Sequence, residues 1–332
     1  MTFPNPPAVS VAIATFNRAG MVDQAVRAVL EQTLAPMEIC VSDDASTDRS
    51  WETLTRIANG DVRVRVFRRS VNSGGVDNWN HAIQQTRGGY IAWCSDDDRY
   101  LPGHLEASVA YLEAHPRVGL VHSGFIDVVE TPAGSHSVER PLRFIGDSQF
   151  EPGDLLTYLL RYYDWPFHAS TIVMRRKVWE EVGAFDTAYA LADTDWFVRA
   201  AERFPVTMLA RHGILNRRHA GNWSNRLGSA RMQREIREIV ERSIARTYKD
   251  APWTRTVWKF LWRANVRLRL ALTLAARLRS RHGPAAGAAW REMLRGMPVP
   301  RILAGGGEKL IARWCARGQP LCEDARESVS PL

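Results

Sequence analysis

The chain has 332 residues, a formal net charge of +8 at pH 7 and 45% apolar residues. This length suits one large α/β domain with an appendage, and the apolar content excludes a globally disordered protein. The four cysteines (Cys40, Cys94, Cys315 and Cys322) lack metal-binding or redox spacing, and Cys40 and Cys94 are expected to be buried in a reducing compartment. The sequence shows neither a secretory signal nor a stretch long enough to span a membrane, so a cytoplasmic location is expected.

The first third of the chain alternates between strand and helix patterns. Near-continuous apolar runs at 9–15 and 37–42 are typical of buried parallel strands, whereas the alternating run at 62–67 predicts a less buried strand. Between these runs, apolar residues recur with helical spacing at Val22, Ala25, Val26, Val29 and Leu30, and at Trp51, Leu54 and Ile57. Thr47 or Asp48 is expected to cap the second helix. This alternation predicts right-handed βαβ units and a parallel sheet whose loops meet at one edge.

Three consecutive carboxylates follow the apolar strand pattern that begins at Tyr90. Asp96, Asp97 and Asp98 therefore lie where open α/β sheets bind their ligands. Adjacent carboxylates repel one another, and a bound Mg²⁺ or Mn²⁺ is one reason to group them, since such ions join carboxylates to substrate phosphates. The alternative is a solvated acidic turn before the next helix.

These motifs resemble those of inverting family 2 glycosyltransferases with the GT-A fold, and the resemblance extends through Ser224. Residues 9–18 are similar to the family's first strand and nucleotide loop, and 42–48 to its Asp-Asp-Gly-Ser-Thr-Asp segment. Residues 72–75 with Asn78, and then 95–98, are similar to the segment before the metal strand and to its Asp-x-Asp-Asp motif. The resemblance implies a Rossmann-like mixed sheet flanked by helices over 1–224, followed by a basic helical extension over 225–332.

The resemblance also implies which residues contact the donor. The nucleotide-binding residues are expected to be Thr15, Asn17, Arg18, Asp44, Asn72 and Asp96, with Asp44 at the base. Asp97 is expected to hold the metal. Ser95 stands where the family has its first carboxylate, and its hydroxyl can still bond a ribose. Ala45 replaces a glycine, which indicates a loop that does not require a positive φ.

A second group of motifs implies the acceptor side. Residues 170–174 predict a strand and 175–182 a short helix, and 183–186 is similar to the family's Gly-x-Phe-Asp. Asp193 lies six residues before Arg199, as the family's general base does, with Ala192 in place of its usual Glu. Asp195 is the reserve candidate. The alternative is that Asp193 caps a helix running over 194–202.

The last matching segment is 217–224. Its His219 is a candidate metal ligand by resemblance, since a neutral imidazole binds ions such as Mn²⁺. Arg217 and Arg218 are candidates for neutralising the departing nucleoside diphosphate. Mn²⁺ or Mg²⁺ is accordingly the expected cofactor.

Positive charge is concentrated in the C-terminal third of the chain. Residues 225–332 contain 22 Lys or Arg and 9 Asp or Glu, a net charge of +13. A basic row recurs every four residues at Arg255, Lys259, Arg263 and Arg267. An apolar row with helical spacing runs beside it, at Trp253, Val257, Phe260, Leu261, Ala264, Leu268, Leu272, Ala275 and Leu278. Such a helix suits an anionic membrane surface or packing on the catalytic domain. Nucleic-acid binding is disfavoured because no reader motif accompanies the charge.

Together these motifs predict an enzyme that transfers a sugar from a nucleoside diphosphate sugar, with UDP as the expected nucleotide. The expected acceptor is a glycan or a lipid-linked glycan in cell-surface polysaccharide synthesis, which would place the enzyme in the cytoplasm or on the inner face of the plasma membrane. The competing hypothesis is a non-catalytic nucleotide-sugar-binding or scaffolding protein. A nucleotidyltransferase is disfavoured because residues 15–20 match a glycine-rich phosphate loop poorly.

Overall fold

The computed structural model describes residues 7–35, 37–131, 134–139, 147–156, 167–222, 229–253, 255–256, 258–260 and 262. The chain divides into two compact units, Met1–Trp262 and Arg263–Leu332. All described residues belong to the first unit. The predicted amphipathic segment at 253–281 therefore lies mostly outside the described residues.

A single mixed sheet forms the centre of the first unit. Its strands are β1 (Val9–Thr15), β2 (Met37–Asp43), β3 (Val64–Arg68), β4 (Tyr90–Trp93), β5 (Arg99–Tyr100), β6 (Leu120–Thr131), β7 (Gly134–Glu139), β8 (Ser148–Phe150), β9 (Val173–Arg175) and β10 (Val206–Arg218). The main order is β3-β2-β1-β4-β9-β6-β10-β5, with β7 beside β6 and β8 beside β10. Strands β1 to β4 are parallel, and β9 enters antiparallel between β4 and β6. This arrangement confirms the predicted mixed sheet.

Helices cover both faces of this sheet. They are α1 (Ala19–Leu30), α2 (Ser50–Gly60), α3 (Gly75–Gln84), α4 (His104–Ala114), α5 (Arg176–Val182), α6 (Ala192–Ala201) and α7 (Ser229–Thr247), with a 3₁₀ turn at Ala169–Thr171. One core, on the α1, α2 and α4 side, contains Val11, Ile13 and Leu54. The other contains Trp93 and Trp196, whose rings meet edge to face at 5.1 Å. Aromatic packing on that side fixes α6 against the sheet.

Most predicted elements agree with the structure, with local differences. The expectation that Thr47 or Asp48 caps α2 was wrong in position, because α2 begins at Ser50 and its N-cap residue is Arg49. Strand β1 has the predicted bounds, and β3 begins two residues late because residues 62–63 form a turn in which Val64 donates to the Asp61 carbonyl at 3.0 Å. The predicted strand at 170–174 was wrong at its start, since Ser170 and Thr171 belong to the 3₁₀ turn. Ser170 there donates its hydroxyl to buried Asp98 at 2.6 Å, a constraint that strand propensity does not encode.

The first part of the basic C-terminal region packs within the first unit. Ile239 of α7 lies in the aromatic core, and Arg246 bonds Glu202 at 2.8 Å just after α6. Among the described helices, none is long and apolar enough to cross a bilayer. Cys40 and Cys94 are buried free thiols, as the sequence predicted.

Candidate active site

The carboxyl ends of β1, β2 and β4 meet at one edge of the sheet. The Thr15 hydroxyl, at the end of β1, donates to Asp96 Oδ2 at 2.7 Å. The Asp44 amide, just after β2, donates to the Thr15 carbonyl at 3.0 Å. Three predicted nucleotide-binding residues are therefore brought together, as parallel strands require.

Arg18 joins the first loop to the carboxylates. Its Nη1 lies 2.7 Å from Asp96 Oδ1 and 2.8 Å from Asp97 Oδ2, and its Nη2 donates to the Gly221 carbonyl at 3.1 Å. Burial raises the pKa of Asp96 to about 6, and the Arg18 charge opposes that rise. The predicted nucleotide loop is thus in direct contact with the predicted metal loop.

Asp97 and His219, the two predicted metal ligands, are in contact. His219 Nε2 lies 3.2 Å from Asp97 Oδ2, and Asn222 Nδ2 donates to the same oxygen at 3.2 Å. Within the part of the chain that the structure describes, no group of three or more His, Cys, Asp or Glu side chains has metal-binding geometry. One carboxylate and one imidazole nevertheless fit Mg²⁺ or Mn²⁺, because such ions take their other ligands from substrate phosphates and water.

Asp98 stabilises the loop from within. Its carboxylate accepts hydrogen bonds from the Ser170 hydroxyl at 2.6 Å and the Arg217 amide at 3.2 Å. The Ser170 hydroxyl also lies 3.0 Å from Ser95 Oγ, so the Ser95 side chain faces this internal cluster. Burial, and then the Asp97 charge, raises the pKa of Asp98 to about 7. The third carboxylate therefore links the metal loop to the 3₁₀ turn and β10.

On the nucleotide side, Asp44 organises a turn. Its Oδ1 accepts from both the amide and the hydroxyl of Ser73 at 3.0 Å, and its Oδ2 accepts from the Gly74 amide at 2.9 Å. Asn72 Oδ1 accepts from the same Gly74 amide at 3.2 Å. Asp44, which is expected to contact the nucleotide base, thus also holds the turn that contains Ser73 and Gly74.

Two residues of the loops after β1 and β2 adopt left-handed backbone conformations. Asn17 has φ 54° and Ala45 has φ 60°. Asn17 Oδ1 accepts the Thr47 amide at 2.8 Å, a bond that holds the two loops together. The expectation that Ala45 does not need a positive φ was wrong. The Ser46 amide donates to the Asp43 side chain, at Oδ2, over 3.2 Å, and this bond closes a tight turn around Ala45.

The acceptor-side residues lie at the start of α6. Asp193 is in the first turn of a helix that begins at Ala192, and its Oδ1 accepts the Thr194 amide at 2.8 Å. Burial raises the pKa of Asp193. Asp195 is bonded instead by Arg199 Nε at 2.7 Å. The alternative of a cap before a helix at 194–202 was wrong in position, because Asp193 lies inside the helix.

The segment just before α6 is held by a residue that sequence reasoning missed. Glu235 of α7 accepts the backbone amides of Ala190 and Leu191 at 2.8 and 2.9 Å, just before α6 begins. Its carboxylate is buried and also binds Arg231 at 2.8 Å. No local motif signals this contact, since it joins residues more than 40 positions apart.

His168 is the second functional candidate that the sequence reading missed. Its Nδ1 lies 3.8 Å from Asp98 Oδ2, and its ring packs against Phe125 at 5.2 Å. Burial lowers its pKa, while the charges of Asp193 and Asp97 act in the opposite direction. One imidazole is therefore within electrostatic range of both the predicted base and the predicted metal ligand. The sequence signal that could have identified His168 is its position, two residues before Ser170, where the predicted acceptor-side segment begins.

The two arginines at the end of β10 differ in their surroundings. Arg217 is buried, donates to Gln24 and lies 3.1 Å from Glu130. Arg218 is exposed and its charge acts on His168. Of the two predicted diphosphate residues, Arg218 is therefore the exposed one, and the Arg217 side chain is engaged by Gln24 and Glu130.

Sequence comparisons agree with these motifs. The family model described as Glycosyl transferase family 2 matches residues 10–183, more than half of the chain. An uncharacterised glycosyltransferase of Haemophilus influenzae is 28% identical over 185 residues, which are 53% of this chain and 54% of that protein. The GalNAc(5)-diNAcBac-PP-undecaprenol beta-1,3-glucosyltransferase of Campylobacter jejuni is 31% identical over 100 residues, 30% of this chain and 32% of that protein. The chain thus spans about half or less of the length of these relatives.

Solved structures show the same fold. S. aureus TarS 1-349 in complex with UDP-GlcNAc superposes with a TM-score of 0.57 at 16% identity, over 71% of this chain and 66% of that chain. The mannosyltransferase PcManGT from Pyrobaculum calidifontis, in complex with GDP-Man and Mn²⁺, gives 0.53 at 18% identity, over 93% and 81%. The mixed sheet flanked by helices is therefore GT-A-like. With a family model that covers more than half of its residues, the chain belongs to glycosyl transferase family 2.

Proposed function

We propose that this protein is a metal-dependent inverting glycosyltransferase that uses a nucleoside diphosphate sugar, with UDP as the favoured nucleotide. The observation that supports this best is the position of His168, whose Nδ1 lies 3.8 Å from Asp98 Oδ2, beside Asp97, and whose pKa is lowered by burial against the opposing charges of both Asp193 and Asp97. A group that holds the diphosphate and a group that accepts a proton thus border one site. An inverting transfer needs this arrangement, because the acceptor attacks from the side opposite the leaving group.

On the donor side, the nucleotide would lie against the ends of β1 and β2. Thr15, Asn17, Arg18, Asp44, Asn72 and Asp96 are the residues proposed to contact it. TarS and PcManGT were solved with UDP-GlcNAc and GDP-Man respectively, which supports a nucleotide sugar and leaves the base as the finer part of the proposal. Arg18 and Arg218 would stabilise the charge that develops on the departing diphosphate.

Asp97 and His219 would hold a Mn²⁺ or Mg²⁺ ion together with the diphosphate. When bound, such an ion supplies Lewis-acid stabilisation of the leaving group. The solved PcManGT complex contains Mn²⁺, which supports the choice of ion. Asn222 also contacts Asp97, at 3.2 Å, and would orient its carboxylate.

On the acceptor side, Asp193 would act as the general base. The carboxylate takes the proton of the acceptor hydroxyl while the hydroxyl oxygen bonds to the anomeric carbon, and the bond from that carbon to the diphosphate breaks. The electron pair of the broken bond leaves with the diphosphate, and the configuration inverts. The raised pKa of Asp193 strengthens it as a base. Asp195 is the weaker candidate because it forms an ion pair with Arg199.

The proposed acceptor is a lipid-linked glycan at the inner face of the plasma membrane. The name of the Campylobacter relative includes an undecaprenol carrier, which supports this class. Trp253 and Phe260 are 82% and 56% exposed. Arg255 and Lys259 lie between them in the sequence and are themselves helical. Exposed aromatic residues with basic residues near them in the sequence favour an anionic membrane surface. Residues 263–281, the rest of this predicted segment, lie outside the described residues.

Liposome co-sedimentation tests the membrane part of the proposal. We expect the protein to pellet with anionic but not neutral vesicles, and the pelleted fraction to fall as salt screens the attraction. The double variant Trp253→Ser/Phe260→Ser should pellet less. Equal recovery in the supernatant with both vesicle types would instead favour a soluble glycan acceptor.

A thermal-shift screen of UDP- and GDP-sugars with and without Mn²⁺ tests the donor. A ligand that binds only the folded state raises the melting temperature by mass action, so one nucleotide should do so only when Mn²⁺ is present. Transfer to a lipid-linked acceptor is then measured with that donor. A donor that binds but is never transferred or hydrolysed would favour the non-catalytic scaffold.

A further inference from the structure

The Arg18 guanidinium contacts Asp97 Oδ2 at 2.8 Å and Asp96 Oδ1 at 2.7 Å, so its positive charge opposes a second cation at these carboxylates. Resting on the proposed function, we propose that Arg18 serves as an internal counter-cation when no nucleotide is present, so that the divalent ion enters only together with a diphosphate. This assigns to Arg18 a control of binding order that is separate from its contact with the nucleotide.

The first argument is the number of donors on one oxygen. Asp97 Oδ2 is approached by Arg18 Nη1 at 2.8 Å, His219 Nε2 at 3.2 Å and Asn222 Nδ2 at 3.2 Å. Three donors saturate the lone pairs of a carboxylate oxygen. A cation that coordinates this oxygen must displace a donor, and Arg18 is the one that carries a permanent positive charge.

The second argument is the pair of contacts that His219 makes. The Gly221 amide donates to His219 Nδ1 at 3.1 Å, and His219 Nε2 lies 3.2 Å from Asp97 Oδ2. A cation held by both His219 and Asp97 must replace this direct contact between them. Both predicted ligands are therefore engaged in hydrogen bonds with protein groups.

The third argument is the attachment of Arg18 itself. Its amide donates to the Ser50 hydroxyl at 3.0 Å and its carbonyl accepts the Val22 amide at 2.9 Å, so its backbone is fixed between β1 and α1. Its side chain is 24% exposed and ends at the carboxylates. A guanidinium forms paired hydrogen bonds with phosphate as well as with carboxylate, so an arriving diphosphate offers an exchange of partners. Arg18 also donates to the Gly221 carbonyl, so a move of its side chain toward a diphosphate would also end this contact with the loop that contains His219.

The test measures Mn²⁺ binding by calorimetry without nucleotide. We expect Arg18→Gln to bind Mn²⁺ at least about tenfold more tightly than the parent, because a charge-assisted ion pair no longer competes. The matched control is Arg27→Gln, which removes the same charge from an exposed pair with Asp23 and should leave Mn²⁺ affinity unchanged. With Mn²⁺ present, the affinity of Arg18→Gln for the nucleotide should fall, and this opposite sign distinguishes exchange from a merely structural role.

Circular dichroism establishes that each variant is folded. If Arg18→Gln does not fold, Arg18→Lys replaces it. Lysine lacks the second nitrogen with which Arg18 reaches the Gly221 carbonyl, so its contact with the carboxylates should be weaker and Mn²⁺ binding should tighten by less. Nucleotide-free Mn²⁺ affinity that is unchanged or weaker in the folded variant would overturn the inference. If the parent binds neither UDP nor GDP with Mn²⁺, the proposed function fails instead, so the two failures are distinguishable.

Discussion

Arg199 holds Asp195 through a 2.7 Å bond from its Nε to Asp195 Oδ2. The same guanidinium donates to the carbonyls of Val182 and Ala184 at 2.7 and 3.0 Å. Asp195 thereby fixes the loop before α6, whereas Asp193, two residues earlier, has a raised pKa and no such ion pair is seen for it among the described residues. These contacts give Asp195 a structural role and leave Asp193 as the proposed base.

The first prediction follows from that separation. Asp193→Asn should keep nucleotide binding and lose transfer by about 10²–10⁴-fold, the usual contribution of a general base. Asp195→Asn should instead lower the free energy of unfolding by about 1.5–3 kcal/mol, since a charged hydrogen bond is lost in a buried position. Calorimetry, initial rates and urea unfolding of both variants measure the two effects. Near-parental transfer by Asp193→Asn, with transfer lost in Asp195→Asn, would make Asp195 the base.

The second prediction concerns pH. Asp193 accepts a proton only when ionised, and its pKa is raised by burial. The rate should therefore fall as pH decreases through this raised pKa and reach a plateau above it. Asp98, in the metal loop, has a pKa of about 7 and also titrates, so donor affinity must be measured over the same pH values. A fall in the rate that mirrors a fall in donor affinity would assign the pH dependence to binding.

The third prediction uses the left-handed conformation of Ala45. Ala45→Gly should raise the free energy of unfolding by up to about 1 kcal/mol, because a Cβ is disfavoured at φ 60°. Ala58→Gly in helix α2 is the matched control and should cost about 0.5–1 kcal/mol, the ordinary effect of glycine inside a helix. Chemical denaturation measures both. Equal destabilisation by the two substitutions would contradict the argument from strain.

The fourth prediction concerns Glu235. Glu235→Ala leaves the amides of Ala190 and Leu191 without their acceptor, and should cost about 2–4 kcal/mol of stability. Because these amides precede the turn that contains Asp193, kcat should fall more than nucleotide affinity. The control is Glu181→Ala, which removes an exposed pair with Arg203 and should cost less than about 1 kcal/mol. Equal losses in the two variants would show that Glu235 does not position α6.

The sequence predicted the parts of this site that depend on local patterns. The run of apolar residues at 9–15 predicted β1, and the order of motifs placed Thr15, Asp96 and Asp97 at one edge. Tertiary contacts decided the rest. The conformation of Ala45 follows from the geometry of its turn, and Glu235, on a distant helix, accepts the Leu191 amide just before α6. Neither the backbone conformation of Ala45 nor the contact of Glu235 alters the local pattern of apolar residues, so sequence periodicity cannot reveal them.

The most direct test of the account is Mn²⁺-dependent nucleotide binding to Asp97→Ala. Calorimetry with UDP and GDP, with and without Mn²⁺, compares this variant with the parent protein. We predict that the parent binds one nucleotide only with Mn²⁺ and that folded Asp97→Ala does not, because the carboxylate that joins the ion to the protein is gone. Unchanged Mn²⁺-dependent binding in Asp97→Ala would contradict the assignment of this site.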